Sequence, residues 1–260
     1  QLPVGDSVVD AALEGDRLAV LDVDGVVHVA DATTGFDKKI SVGEAREPTA
    51  VAVNADSVYV GDDGGQVHRC SFDSGDVELV IGSDTAGAVV SLAKSASKNR
   101  LVVGFARGDV MYLDESVPGG GDAFHLRSDV PVETVALCRE MGGFAVFRSD
   151  KSVTLHSVDR PGRPTSQFET SDVVDQAAFS SDAHLLAVTE EGGGLEIFHA
   201  DTGHQLLPQS ALRARPMTLE FDQDDRLSAM CEVDGTVFRW DLQQGFLEAG
   251  SNNDGHLLDS

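Results

Sequence analysis

A short phrase recurs six times along this 260-residue chain, at a spacing of roughly 42 residues. Each copy joins an apolar strand, a tight turn rich in acidic residues or glycine, and a second strand. Repeats of this length each bury their apolar faces against their neighbours. The copies are LAVLDVDGVVHVAD (18–31), VYVGDDGGQVHRCS (58–71), LVVGFARGDVMYLD (101–114), FAVFRSDKSVTLHS (144–157), LAVTEEGGGLEIFH (186–199) and LSAMCEVDGTVFRW (227–240).

Each repeat divides into four strands, here called a to d, of which b and c form the recurring phrase. Branched and aromatic residues alternate with small or polar ones, and no long segment has a helical apolar period. Strand a is predicted at 7–13, 49–53, 89–94, 132–138, 173–179 and 216–221, and strand d at, for example, 37–42, 76–81, 123–127 and 165–170. Four strands repeated about every 42 residues predict an all-β fold, a β-propeller of four-stranded blades.

The repeats predict one propeller domain over 1–260, because stacked units share a core however many they are. The predicted blades are approximately 7–48, 49–88, 89–131, 132–172, 173–215 and 216–260. Residues 1–6 resemble a strand d that would close a six-bladed ring by joining the last blade. A seven-bladed ring is the alternative, with one blade outside this sequence or supplied by a partner.

The repeats resemble the WD40 family, most clearly where the last one carries the Trp-Asp dipeptide as Trp240-Asp241. Its Asp alone is matched by Asp31 and Asp114. The family's structural Asp in the b–c turn is matched by Asp24, Asp150 and Asp234. The Gly-His dipeptide that usually opens a WD40 repeat is absent, so the family's His, Ser/Thr, Asp and Trp tetrad is incomplete in every blade. The resemblance implies a divergent WD40-like propeller or another propeller family of similar period.

The chain is strongly acidic, with a formal net charge of −25 from 44 acidic and 19 basic residues. The negative electrostatic field of such a chain disfavours binding to nucleic acid and to anionic membranes, because both are bound through basic patches. Thirty of the acids are Asp and only five of the bases are Lys. This composition is compatible with a halophilic source, or with an acidic scaffold from a source that favours Arg.

Three cysteines, Cys70, Cys138 and Cys231, fall in different repeats without a C-x-x-C pair. The pattern favours a reducing compartment and predicts an intracellular protein, cytoplasmic or nuclear, with the cysteines buried in strands. No apolar stretch reaches the length of a membrane helix, so no membrane association is expected. The chain begins at Gln1, which is compatible with a processed product or a piece of a longer protein.

In the WD40 family, the b–c turns and d–a loops share one rim, and partners commonly bind there or over the central channel. The b–c turns of this chain hold a series of acids that predicts a carboxylate rim and a basic peptide or protein partner. The simpler interpretation is that Asp and Gly form tight turns in an acidic protein. The acids are Asp22, Asp24, Asp62, Asp63, Asp109, Asp150, Glu190, Glu191, Glu232 and Asp234.

Four arginines stand out against these acids, Arg107 in a b–c turn and Arg46, Arg213 and Arg215 in d–a loops. Arg is a favoured anchor at interfaces because its planar fork pairs with carboxylates, which makes these four candidate partner contacts. The alternative is that they neutralise neighbouring carboxylates. The candidate partner-binding residues are therefore these arginines with Asp24, Asp63, Asp109, Asp150, Glu191 and Asp234.

No catalytic residue, cofactor site or metal site is assigned from the sequence. The D-x-D-G run at 22–25 lacks the further oxygen ligands of a calcium loop. His28 and His68 occupy matching positions in strand c of adjacent repeats, but a metal site needs more ligands. The leading hypothesis is a non-catalytic protein-interaction scaffold, part of a larger complex or multidomain protein. The alternative is a propeller enzyme, a hydrolase, lactonase or quinone-dependent type, with its site at the central channel.

Overall fold

The computed structural model describes most of the chain, which forms two compact units, Gln1–Val135 and Ala136–Ser260. The described residues are 8–15, 17–31, 33–42, 47–82, 86–95, 99–116, 124–138, 143–211, 216–222, 224–231, 237–241 and 248–249. They contain strands and turns and no α-helix. Accordingly, no helix in this part of the chain is long and apolar enough to cross a membrane.

Unit 1 contains three blades, each a four-stranded antiparallel sheet whose strands follow chain order from a to d. Blade 1 consists of β1 (Val8–Glu14), β2 (Arg17–Asp22), β3 (Val26–Asp31) and β4 (Phe36–Ser41). Blade 2 consists of β5 (Pro48–Val53), β6 (Ser57–Asp62), β7 (Gln66–Ser71) and β8 (Val77–Gly82). Blade 3 consists of β9 (Val89–Lys94), β10 (Arg100–Phe105), β11 (Val110–Asp114) and β12 (Phe124–Leu126).

Unit 2 contains the remaining sheets, and the boundary between the units falls within the first strand of blade 4. Blade 4 consists of β13 (Val132–Leu137), β14 (Gly143–Arg148), β15 (Ser152–Ser157) and β16 (Pro164–Glu169). Blade 5 consists of β17 (Val174–Phe179), β18 (Leu185–Glu190), β19 (Gly194–His199) and β20 (His204–Ala211). The partial sixth blade consists of β21 (Pro216–Phe221), β22 (Arg226–Cys231), β23 (Val237–Asp241) and the two-residue β24 (Glu248–Ala249).

The prediction of an all-β propeller with four-stranded blades is confirmed, as five complete blades and a partial sixth sheet. The predicted a and d strands lie within one residue of the observed ones. This accuracy follows from the turn residues, which mark where each short strand must stop. The predicted closing strand at 1–6 lies outside the described residues, so a closed six-bladed ring stays a prediction.

The cores of both units lie between neighbouring blades, because the middle sheet of each unit buries both its faces. In β5, Val51 and Val53 join a cluster with blade 1, whereas Ala50 and Ala52 join a cluster with blade 3. In unit 2, Val188 packs with blade 4 and Ala187 packs with the sixth blade. This alternation follows from the two-residue period of a strand, which sends successive side chains to opposite faces. A single blade would therefore leave two apolar faces in water.

Two of the three cysteines confirm the predicted structural role. Cys70 and Cys138 are buried and unpaired, with 0% and 2% of their surface exposed. Burial raises the pKa of the Cys70 thiol to about 11, which keeps it protonated at neutral pH. The side chain of Cys231 lies outside the described residues.

Candidate interaction surface at the b–c turns

The b–c turn of a blade and the d–a linker that precedes the blade lie at the same end of the sheet, which we call the loop edge. In blade 2, Asp63 N donates to the linker oxygen Glu47 O over 2.9 Å. In blade 5, Glu191 N donates in the same way to Val173 O over 2.9 Å. The antiparallel order of four strands requires this placement, since strands b and d end where strands a and c begin. The predicted grouping of these loops is thus confirmed within the blades.

The turn of blade 1 shows how a strand-end carboxylate closes a b–c turn. Asp22 Oδ1 accepts hydrogen bonds from Asp24 N over 3.1 Å and from Val26 N over 2.9 Å. Its other oxygen, Oδ2, lies 3.1 Å from Nε2 of the buried His28. Burial alone would raise the pKa of Asp22, but these hydrogen bonds outweigh it and lower the pKa. Asp22 is therefore part of the turn itself.

In blades 2 and 5 the acid at the end of strand b is fully buried. The exposed fraction is 0% for Asp62 and 0% for Glu190. Asp62 Oδ1 accepts a hydrogen bond from Gln66 N over 2.8 Å, across its own turn. Glu190 Oε1 accepts one from Asp172 N over 2.7 Å, which ties the turn to the d–a linker. A buried carboxylate needs such donors, and these two acids are not available to a partner. The sequence-based rim of carboxylates is therefore smaller than its list of acids.

The acids that follow the strand-end positions have the opposite environment. Asp24, Asp63, Asp150 and Glu191 are all exposed at the loop edges of their blades. Ser152 donates hydrogen bonds to Asp150 and lowers the pKa of that carboxyl group. Four of the six predicted acidic contacts are thus accessible carboxylates.

The other two acidic contacts differ from this pattern. Asp109 is half-buried, and its Oδ2 lies 3.1 Å from Nε2 of His125 on strand d of the same blade. Its position on the loop edge matches the prediction, but part of its surface is covered. Asp234 lies outside the described residues.

Of the predicted arginines, only Arg107 lies within the described residues, whereas Arg46, Arg213 and Arg215 lie outside them. Arg107 is exposed in the b–c turn of blade 3 and lies against the linker residue Gly87. In blade 4, Lys151 donates through Nζ to Ser171 O over 3.0 Å and lies 3.1 Å from Asp172 Oδ1. That lysine therefore neutralises a linker carboxylate, which is the alternative role considered above for the four arginines.

The matching histidines of strand c are buried, with 4% of His28 and 3% of His68 exposed. His28 pairs with Asp22 and supports the turn, as described above. Within the described part of the chain, neither histidine belongs to a group of three metal-ligating side chains. Their positions agree with the structural role that the sequence favoured.

Sequence reasoning missed a cavity of about 370 Å³ between blades 4 and 5, at the end of these sheets opposite the loop edge. His156 lies in its wall, where Nδ1 is 2.7 Å from Pro161 O and Nε2 is 3.0 Å from Thr154 Oγ1. The ring stacks on Phe144 with the centroids 5.0 Å apart, and burial lowers the pKa of the histidine. Two blades form this wall together, so no single repeat contains a signal for it.

No protein-family model matches this chain, and no curated protein matches it in sequence. The fold alone therefore defines the class of this protein, which is a β-propeller arrangement of small antiparallel sheets.

Proposed function

We propose that this protein is a non-catalytic interaction scaffold, a divergent WD40-like propeller that binds a basic peptide or a basic protein surface at its loop edges. The proposal rests on the different positions of two successive acids in the b–c turns, one buried and one exposed. In blades 2 and 5, a fully buried acid fixes the turn, and the acid after it, Asp63 or Glu191, is held in solvent. The exposed carboxylates thus stand on turns that are already ordered.

Ordered turns favour binding because a partner does not have to immobilise their backbone. The loss of side-chain and loop freedom is one of the main costs of association, and a hydrogen-bonded turn reduces it. The net charge of −25 adds a long-range attraction for cationic partners, which raises the rate of encounter. Both arguments favour a basic partner over a neutral or acidic one.

The WD40-like part of the proposal rests on the repeat period and on the turn acids. Asp31, which matches the Asp of the family dipeptide, accepts hydrogen bonds through Oδ1 from Thr33 N over 3.0 Å and Thr34 N over 2.9 Å. Asp31 and Asp22 therefore order turns at opposite ends of blade 1. Fixed turns on a four-stranded blade are the feature that interaction propellers require, since loops positioned by a rigid scaffold carry binding.

A labelled Arg/Lys-rich peptide tests the proposal on unit 1, where the chain offers a matched control. The double variant Asp24→Asn/Asp63→Asn removes two exposed charges from the loop edges of blades 1 and 2. The control, Asp56→Asn/Asp73→Asn, removes two exposed charges from the opposite edge of blade 2. Both proteins carry the same net charge, so fluorescence anisotropy at low salt separates position from total charge.

We expect the loop-edge variant to bind the peptide about fivefold more weakly than the control variant, because it loses close charge pairs. Raising the salt concentration should reduce the difference, since exposed pairs are screened. Equal weakening by the two variants would show that the peptide responds to net charge alone and would contradict a loop-edge site. The pair Asp150→Asn/Glu191→Gln extends the same measurement to unit 2.

A further inference from the structure

Three metal-ligating side chains meet in blade 5, at the end of the sheet opposite the loop edge. His184 directly precedes β18, His199 is the last residue of β19, and Asp201 follows in the c–d turn. Ala200 N donates to His184 O over 2.8 Å, which holds the two segments side by side. Each of the three side chains offers one ligand atom, and these atoms all lie within 4.8 Å of one another.

The two turns that carry these residues are held by their own hydrogen bonds. In the a–b turn, Asp182 Oδ1 accepts from Ser180 Oγ over 2.6 Å and from His184 N over 2.9 Å. In the c–d turn, Gly203 N donates to His199 O over 2.8 Å. Because the backbone of both turns is fixed, the ligand atoms need only side-chain rotation to close on an ion.

The separations suit a small cation with nitrogen and oxygen ligands. His184 Nδ1 lies 3.4 Å from Asp201 Oδ2. This is longer than an ordinary N–H···O hydrogen bond of about 2.7–3.2 Å. It is close to the ~3.4 Å that separates two ligands around a tetrahedral Zn²⁺ with bonds of about 2.0–2.1 Å. The rings of His184 and His199 are neighbours as well, with their centroids 6.0 Å apart.

A second observation concerns His199 itself. Its Nδ1 is buried and has no hydrogen-bond partner among the described residues. A buried polar atom normally has a partner; among the described residues one ring nitrogen each of His28 and His68 also lacks one, so this feature supports a metal site only where it coincides with the three-ligand cluster. Where Nδ1 is the ligand atom, a metal bond would give it the missing partner and fix the tautomer of the ring.

We propose that His184, His199 and Asp201 form a Zn²⁺ site. Two imidazoles and one carboxylate are a ligand set that zinc takes in proteins, with further positions left for water or another donor. Imidazole ligands also distinguish the site from the many acidic turns of this chain, because Ca²⁺ and Mg²⁺ prefer oxygen ligands. The site goes beyond the proposed scaffold function and does not depend on it.

Two of the three candidate ligands lie beside accessible space. The side chains of His184 and Asp201 are 58% and 68% exposed, and both residues line the cavity between blades 4 and 5. A zinc ion held by them would therefore lie at the cavity's mouth, where water or a donor group of a small molecule completes its coordination. Thirteen residues line this cavity, including His156 and Asp182.

Isothermal titration of the purified full chain with ZnCl₂, after treatment with a chelator and its removal, tests the site. We expect one ion per chain, with binding that survives a large excess of Ca²⁺. The variants His184→Ala and Asp201→Asn each remove one ligand from an exposed position, and both should weaken zinc binding at least tenfold. Circular dichroism checks that each variant is folded.

The matched control is His125→Ala in unit 1, because His125 also pairs with an aspartate but has no third ligand in the described residues. It should bind zinc as the wild type does. Zinc binding of unchanged affinity in His184→Ala, or displacement of zinc from the wild type by Ca²⁺, would overturn the proposal. An equal loss in His125→Ala would overturn it as well, since that result assigns the ion to scattered surface histidines.

Discussion

Two carboxylates of blade 1, in strand a and in the b–c turn, respond to similar hydrogen bonds in opposite ways. Asp10 accepts from Val51 N over 2.7 Å and from Ala11 N over 2.8 Å, yet its burial raises the pKa to about 6. Asp22 accepts two backbone bonds and pairs with His28, and its pKa is lowered.

This difference shows that the surroundings of an acidic residue decide whether its charged form stabilises the folded protein. At Asp10 the loss of water outweighs two hydrogen bonds, so the charged form is disfavoured. At Asp22 the two backbone hydrogen bonds and the pairing with His28 outweigh the loss of water and favour the charged form. A chain with 44 acidic residues therefore contains carboxylates that oppose folding at neutral pH and others that support it.

The largest expected effect comes from blade 3, where Phe105 takes the strand-end position that Asp22 has in blade 1. That turn keeps the backbone hydrogen bond that blades 1, 2 and 5 also have, with Gly108 N donating to Phe105 O over 2.9 Å, but it has no strand-end carboxylate. Gly108 has φ 98°, and a Cβ there would lie 2.5 Å from Val130 O and also too close to Ser128 O. Gly108→Ala should lower the free energy of unfolding by about 3 kcal/mol, measured by urea denaturation.

The control for this prediction is Gly75→Ala. Gly75 also has a positive φ, 75°, but no atom lies within 4 Å of its Cβ position. Its substitution should cost about 1 kcal/mol, the conformational part alone. Equal losses in the free energy of unfolding at the two sites would contradict the prediction. They would show that the linker packed against Gly108 does not stabilise the turn of blade 3.

The next effect is the pH dependence due to Asp10. Its pKa in the folded state, about 6, lies above the ordinary value of 3.8, so the folded protein binds a proton that the unfolded chain does not. Stability from this group is therefore fully present below pH 4 and is lost as the pH rises through 6. Relative to Asp10→Asn, the wild type should gain about 1 kcal/mol between pH 7 and pH 5. Parallel stability curves for the two proteins would exclude the effect.

The smallest effect, of opposite sign, is expected at Asp22. Because the pKa of Asp22 is lowered in the folded state, its charged form stabilises the fold at pH values above the ordinary pKa of 3.8. This contribution is lost as the pH falls through the lower pKa of the folded state. Asp22→Asn keeps an oxygen for the turn amides and removes the charge. We expect it to lose less than about 1 kcal/mol at pH 7, with the loss shrinking in acid. A loss that grows on acidification would contradict the assignment.

Most of the fold could be predicted from the sequence, but only part of the candidate sites. Asp62 and Asp63 are adjacent in sequence and identical in chemistry, yet one is fully buried and the other exposed. The repeat placed both on a b–c turn, because turn residues at a fixed offset from apolar strands are a local signal. It did not reveal which of them points inward. That choice depends on the contacts around the turn, where Asp62 Oδ1 accepts from Gln66 N and Asp63 N donates to Glu47 O of the linker.

The sequence by itself determined the repeat, the four-stranded blade and the grouping of turns at one edge, because period-two burial and turn chemistry act over a few residues. Only the tertiary structure decided which acids are anchors and which are exposed. The predicted hairpin of blade 5 brings the segments of His184 and Asp201 near each other, but only the tertiary structure set their side chains 3.4 Å apart. Such sites are formed by segments that meet across a sheet or between blades, and no local pattern in the chain encodes their distances.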